Sequence, residues 1–222
     1  MTPAAADTVG ATLRMNRIYR HQRHIYNFTR KYYLLGRDRL IDRLNLGAGD
    51  NVLEIGCGTG RNLILAAKRY PDARFFGIDV STEMLASASE AIARTGMAAR
   101  VAVARADGTA FDPATLFGNT EFQRVFISYS LSMIPEWRSA LALAVSLLAQ
   151  NGELHVIDFG DQRALPAWFA AGLRKWLARF AVKPCDDLEL ELAILAGRTN
   201  TALYVEQPFR GYARYAILRR VE

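Results

Sequence analysis

Val52–Asn62 reads VLEIGCGTGRN, an apolar run followed by glycines at positions 56, 58 and 60 and then by a helical pattern. NVLEIG (51–56) is a buried strand and GRNLILAAKRY (60–70) a helix closed by Pro71. The same alternation continues downstream. ARFFGIDV (73–80) reads as a second strand, and STEMLASASEAIART (81–95) as a helix with Ser81 or Thr82 at its N-cap and Gly96 as its stop. ARVAVARAD (99–107) and FQRVFISYS (122–130) are the third and fourth strands. SALALAVSLLAQ (139–150) is a helix ending in an Asn151-Gly152 turn, and ELHVIDFG (153–160) is the fifth strand. LYVEQPF (203–209) and GYARYAILRR (211–220) lie too close for a crossover helix and pair antiparallel at the sheet edge. Strands alternating with helices predict an α/β fold built on a doubly wound sheet. Upstream, Leu13–Leu44 is helical and cationic with a break near Gly36, LGAGD (46–50) punctuates, and residues 1–12 carry no pattern.

Glycines between a strand and a helix permit a tight turn and let backbone N–H groups approach a ligand with no Cβ in the way. Dinucleotide-binding sheets use a related loop, G-x-G-x-x-G. Here the spacing is G-x-G-x-G, and Arg61 stands where a small residue would let helix and strand pack closely. Two acids close the next strands, Asp79 in FFGIDVS and Asp107 in RADGTAF. Either one alone reads equally well as a helix cap or a turn former. Together with the loop they converge on one crevice at the carboxyl ends of the strands, Asp79 placed for both hydroxyls of a ribose and Asp107 for an adenine amino group.

With these segments the chain resembles the class I S-adenosylmethionine-dependent methyltransferases from about Leu46 to its end. The resemblance implies a seven-stranded sheet, mostly parallel with an antiparallel last strand, and S-adenosylmethionine as cofactor. It sets Glu54, Gly56, Gly58, Gly60, Asn62, Val80, Met84 and Ser128 around that cofactor, with Asp79 on the ribose and Asp107 and Gly108 at the adenine. Residues 46–222 would form the binding core and 1–45 a helical lid belonging to the same domain.

The fourth strand ends in SYSLSMIPEW (128–137). Enzymes that methylate amino groups of nucleic-acid bases usually carry an Asn or Asp followed by Pro-Pro-aromatic there. Its absence argues against a nucleic-acid partner despite a net charge of +6 and a sequence pI near 9.5. Taken together, YRHQRHIYNFTRKYYLLGR (19–37), EIGCGTGRNLI, SYSLSMIPEW and RGYARYAILRR resemble the bacterial N-methyltransferases of betaine-lipid synthesis. That likeness implies three methylations converting diacylglycerylhomoserine to diacylglyceryl-N,N,N-trimethylhomoserine, with the diacylglycerylhomoserine-forming enzyme as a partner. It also implies a cytoplasmic protein, peripheral at the inner face of an anionic membrane. Phosphatidylethanolamine N-methyltransferases are its nearest relatives in chemistry.

Residues 19–37 suit such a head group. A quaternary ammonium donates no hydrogen bond and is held by aromatic faces, each contact worth about 0.5–2 kcal/mol. At helical spacing Tyr19, Arg23, Tyr26, Arg30, Tyr33 and Arg37 form one stripe, with Tyr32 on an adjacent face. An Arg fork fits the homoserine carboxylate, and Arg23, Arg30 and Arg210 are the candidates. The same stripe also reads as Tyr and Arg stacked along a solvated helix. His24, Tyr33 and Tyr129 are the candidate catalytic residues, with His24, Tyr129 or water taking the amine proton. Asp158 ends the fifth strand, where it would attract an ammonium, whereas His155 reads as a structural imidazole buried in the same strand.

RALPAWFAAGLRKWLARFAVK (163–183) gathers Leu165, Trp168, Phe169, Leu173, Trp176, Leu177 and Phe180 on one face. This is the composition of an interfacial helix, or of an ordinary helix covering the sheet. The two cysteines, Cys57 and Cys185, form neither a metal-ligand spacing nor a disulfide framework, which suits a reducing cytosol, and no metal is expected. Residues 1–15 lack a basic start followed by a long apolar run, so no secretory leader is expected there. LALAVSLLA (141–149) is far below the roughly 20 residues a membrane span needs. Three other functions stay open: methylation of phosphatidylethanolamine, methylation of a small soluble amine, and a cofactor-binding partner subunit without turnover.

Overall fold

The computed structural model describes residues 34–180 and 182–221. Its elements run α1 (Arg37–Asp42), β1 (Asn51–Ile55), α2 (Arg61–Arg69), β2 (Arg74–Asp79), α3 (Thr82–Arg94), β3 (Val101–Arg105), α4 (Pro113–Phe117) and β4 (Phe122–Ser128). A single 3-10 turn (Leu131–Met133) leads to α5 (Trp137–Ser146), β5 (Leu148–Phe159), α6 (Ala167–Ala178), α7 (Leu188–Thr199), β6 (Thr201–Glu206) and β7 (Ala213–Arg220). The seven strands lie in the order β3-β2-β1-β4-β5-β7-β6. β1 to β5 are mutually parallel, and β7 slots between β5 and β6 antiparallel to both. This is the class I methyltransferase fold.

Alternation along the strands sends side chains to two cores. Val52, Phe75, Phe126 and Ile157 face α1, α2 and α3, whereas Leu53, Val125, Leu154 and Leu218 face α5 and α7. Such central strands are apolar on both faces because both are covered. Reversal of the strand order on either side of β1 and β4 leaves a crevice over their carboxyl ends, where ligands of open α/β sheets bind.

Three details depart from the sequence pattern. The apolar run after α5 stops being helical at Ser146, and β5 begins already at Leu148. Asn151 takes a left-handed φ of 59°, and the pairing of β4 with β5 slips between Phe122 and Arg124. The Asn-Gly pair is therefore a bulge inside a strand, not a turn ahead of one. Secondly, α7 was absent from the pattern. It covers the sheet with Leu188, Leu192 and Ala196 buried, the task that 163–183 was expected to share. Thirdly, Arg37 is no exposed end of a cationic stripe. It is buried, and its Nε donates to the Leu34 carbonyl at 3.3 Å, just after the αL Gly36 that caps α1.

Candidate active site

The site is built around the turn after β1. Gly56, Gly58 and Gly60 all have positive φ, at 78°, 53° and 71°. A Cβ on Gly56 would lie 2.4 Å from the Ser130 Cβ, so only glycine passes there. Ser130 in turn donates from Oγ to the Ile55 carbonyl at 2.9 Å, tying the tip of β4 to the end of β1. Gly56 and Cys57 donate backbone N–H to the Ile78 carbonyl, at 2.8 and 2.9 Å. Gly108 lies against the same strand end, where a Cβ would come within 2.7 Å of Ile55 Cγ2.

Acids surround this turn. Asp79 accepts from Gly58 N (2.8 Å) on one oxygen and from Ser81 N (2.9 Å) on the other, which aims its carboxylate along the loop. Ser81 is the N-cap of α3, accepting from Met84 N at 3.3 Å. Asp107 accepts from the Thr109 N–H (2.9 Å) and hydroxyl (2.7 Å) on one oxygen, an Asx turn that fixes the end of β3. Glu54 is buried and accepts from the Asn62 amide at 2.8 Å. Ser128, at the tip of β4, is buried, and its hydroxyl has no hydrogen-bond partner among the described residues. The Cys57 thiol is pushed well up, first by burial and then by the charges of Asp79 and Glu54, so it stays a neutral spacer.

The acceptor half of the crevice differs from the sequence expectation. Tyr129 has φ 56° and is buried, and its hydroxyl donates to the Leu35 carbonyl at 2.7 Å. Burial, and then the charge of Asp158, hold its phenol well above the usual range. It is a latch on the segment leading into α1, not a base. Asp158 is fully buried; its oxygens accept from Phe159 N (2.7 Å) and Ser132 N (3.2 Å), so it caps the 3-10 turn instead of facing a substrate. Burial raises its carboxyl to about 6. His155 lies inside the sheet, with Nε2 donating to Glu153 (3.0 Å) and Nδ1 accepting from the Tyr215 hydroxyl (2.7 Å). Arg210 is exposed, with φ 59°, on the turn entering β7 beside the tip of β5. Tyr19, Arg23, His24, Tyr26, Arg30, Tyr32 and Tyr33 lie outside the described residues. Val80 is half-buried next to Asp79, and Met84 is buried in contact with Met133 and Phe180. Met133, Phe180 and Ser130 lie in segments the sequence singled out, SYSLSMIPEW and 163–183, but their place at the site comes from the fold alone, which brings Met133 and Phe180 to Met84.

Residues 52–152 match the methyltransferase domain family. The matched stretch is a little under half of the chain. It contains the glycine loop, Asp79, Asp107 and the tip of β4, and leaves α6, α7, β6 and β7 outside the matched stretch. Trans-aconitate 2-methyltransferase of Paracidovorax citrulli is 35% identical over 128 residues, 58% of this chain and 45% of that protein. The chain spans about half the length of the curated relatives it matches. Among solved structures, the YcgJ protein from Bacillus subtilis superposes with a TM-score of 0.65 at 15% identity, covering 84% of this chain and 98% of that one. Geranyl diphosphate C-methyltransferase from Streptomyces coelicolor A3(2), solved with S-adenosyl-L-homocysteine, gives 0.64 at 14% identity, covering 83% and 78%. Both share the fold.

The residues fit the cofactor that this fold implies. S-adenosylmethionine joins a cationic sulfonium and an amino acid to a nucleoside. The strand tips offer backbone without a Cβ at Gly56, Gly58 and Gly60, a buried hydroxyl at Ser128 with no partner among the described residues, and carboxylates at Glu54, Asp79 and Asp107. Carboxylates concentrated at one end of a crevice make a potential that favours a cation. Among the described residues no group of three or more His, Cys, Asp or Glu is placed to hold a metal ion.

Proposed function

We propose that this chain is an S-adenosylmethionine-dependent N-methyltransferase that converts diacylglycerylhomoserine to diacylglyceryl-N,N,N-trimethylhomoserine by three methylations. The observation carrying the methyl-transfer part is the positive-φ glycine turn flanked by Glu54, Asp79 and Asp107 at three neighbouring strand ends. When bound, the cofactor supplies an electrophilic methyl group on a positively charged sulfur. The chain's contribution is positioning, because an in-line displacement depends above all on alignment. Asp79 holds the ribose, Asp107 and Gly108 bracket the adenine, and Ser128 with the glycine turn takes the amino-acid end. Tyr129 keeps the segment at Leu35 closed over β4 and β5. With Tyr129 donating to a carbonyl and His155 sealed in the sheet, the amine proton goes to His24 or to water.

The lipid part rests on the likeness of residues 19–37, 128–137 and 210–220 to the betaine-lipid enzymes. Tyr19, Tyr26, Tyr32 and Tyr33 offer aromatic faces for an ammonium that gains methyls, and Arg23, Arg30 and Arg210 offer forks for its carboxylate. The protein works at the inner face of the membrane, beside the enzyme that forms its lipid substrate. The test is mass spectrometry of lipids from a host lacking betaine lipid, given this gene with and without the diacylglycerylhomoserine-forming enzyme. Trimethylated lipid only when both genes are present supports the reading, and its absence from a host making diacylglycerylhomoserine contradicts it. A second reading, methylation of a small soluble polycarboxylate, is favoured by the match to trans-aconitate 2-methyltransferase. Turnover of trans-aconitate, with none of the lipid amine, would establish it instead.

A further inference from the structure

Two helices stand between β5 and β6, and the fold needs one. α7 covers the sheet, with Leu188 and Leu192 fully buried. α6 buries only Leu177 completely. Its inner edge, Leu173, Trp176 and, just beyond it, Phe180, rests on the core, and Phe180 packs against Met84, as Met133 does. Lys183 N donates to the Ser132 carbonyl at 2.9 Å, so the end of this segment is fastened to the turn after β4. α6 therefore lies at the crevice end of the sheet.

Its outer side has an unusual make-up. Trp168 is 77% exposed and Phe169 40% exposed, with rings 5.8 Å apart edge to face. At 3.6 residues per turn, positions 168, 172, 175 and 179 fall in one narrow sector, occupied by Trp168, Gly172, Lys175 and Arg179. From Arg163 to Lys183 there are five cations and no acid. Arg174 is paired with Asp186 at 2.7 Å, and Arg163 reaches Asp161 only at 3.4 Å with its side chain 87% exposed. Lys175, Arg179 and Lys183 are exposed and make no ion pair among the described residues. Aromatics at one end of a helix, with cations in line behind them and no acid within the segment, are the chemistry of a helix lying in the head-group layer of an anionic bilayer.

We infer that α6 is the membrane-docking element of this protein: Trp168 and Phe169 enter the lipid surface, and Arg163, Lys175, Arg179 and Lys183 lie against anionic head groups. This sets the mouth of the crevice, at Met84 and Met133, against the bilayer. It deepens the lipid reading above, but its test does not depend on methyl transfer. The full chain is sedimented with phosphatidylcholine vesicles with and without phosphatidylglycerol, at low and at high salt. Wild type pellets with the anionic vesicles, less at high salt, and stays in solution with phosphatidylcholine alone. Trp168→Ser with Phe169→Ser weakens binding about tenfold or more by removing the apolar anchors, and separately Lys175→Glu with Arg179→Glu does so by reversing two cations near the surface. Both pairs are exposed, so their melting temperatures match wild type and an effect on folding is told apart. Wild type left in the supernatant overturns the inference. So do variants that pellet like wild type, which move docking to another segment. A dimer that Trp168→Ser dissociates also overturns it, since a second copy would then cover this face. Vesicle binding without lipid methylation would sink the substrate reading and leave docking standing, and lipid methylation in detergent without vesicle binding would do the reverse.

Discussion

Glu153 and Asp158 sit five residues apart on β5, both buried, and they are held in opposite ways. Glu153, in the lower half of the sheet, faces Arg124 at 3.4 Å, Arg219 from β7 and the His155 imidazole. These partners outweigh burial and draw its carboxyl down to about 2. Asp158, at the crevice end, has backbone N–H partners but no ion pair among the described residues, and burial lifts it to about 6. One end of the sheet is a closed, neutralised base, and the other gathers carboxylates held by backbone and amide N–H groups, a left-handed Tyr129 and a turn only glycine can make. Stability and site are separated along a single strand. Groups held at a cost cluster at functional sites, so the crevice end is where binding belongs.

The contrast breaks most visibly at its stable end. Glu153→Gln leaves the mostly buried Arg124 without its carboxylate and should cost about 3–5 kcal/mol, the usual result of removing one partner of a buried pair, while the largely exposed Arg219 adds little. That lowers the melting temperature by about 6–20 °C with little change in cofactor affinity. Gly56→Ala acts at the other end. It strains a φ of 78° and presses a Cβ onto Ser130, costing about 2–3 kcal/mol together with most cofactor binding. If binding survived, the turn would not be the binding surface. Asp79→Asn should weaken S-adenosylhomocysteine binding about 10–100-fold by calorimetry, since hydrogen bonds to a charged group are worth about 1.5–3 kcal/mol. Its melting temperature should fall far less than that of Glu153→Gln.

A finer test uses pH. Asp158 has a folded value raised above its ordinary 3.8, so the stability it contributes is fully present below 3.8 and is lost as pH rises through about 6. From pH 7 to pH 5 this makes the protein about 1.4 kcal/mol more stable. His155, lowered by burial, pulls the other way in the same window. The readout is thus the difference between wild type and Asp158→Asn, which should lack the gain. Glu153, with its folded value depressed, acts at lower pH. Its contribution is present above 4.5 and lost as pH falls toward 2. If the Asp158→Asn difference were flat between pH 5 and 7, the two ends of β5 would not be opposed.

The sequence disclosed one half of the crevice far better than the other. The glycine turn, Asp79, Asp107 and the strand–helix alternation are local signals, each written within a few residues. The antiparallel β6–β7 pair was legible for the same reason, a connection too short for a crossover. Asp158 and Tyr129 misled because their surroundings come from distant segments: Ser132 and Leu35 claim groups that the strand pattern alone would aim at a substrate. Asn151-Gly152 carried a turn signal that the neighbouring strand absorbed as a bulge. The face of 163–183 was seen as one stripe, and tertiary packing divides it between Leu177 inside and Trp168 outside.

The central claim is that a sulfonium nucleoside lies across the strand tips between the first turn and Asp107. Hydrogen–deuterium exchange with and without S-adenosylhomocysteine tests it most directly. Slowed exchange at residues 56–60, 79–84 and 107–109, with 153–155 unchanged, is the predicted result. No protection there, or the same protection from a nicotinamide dinucleotide, would contradict it.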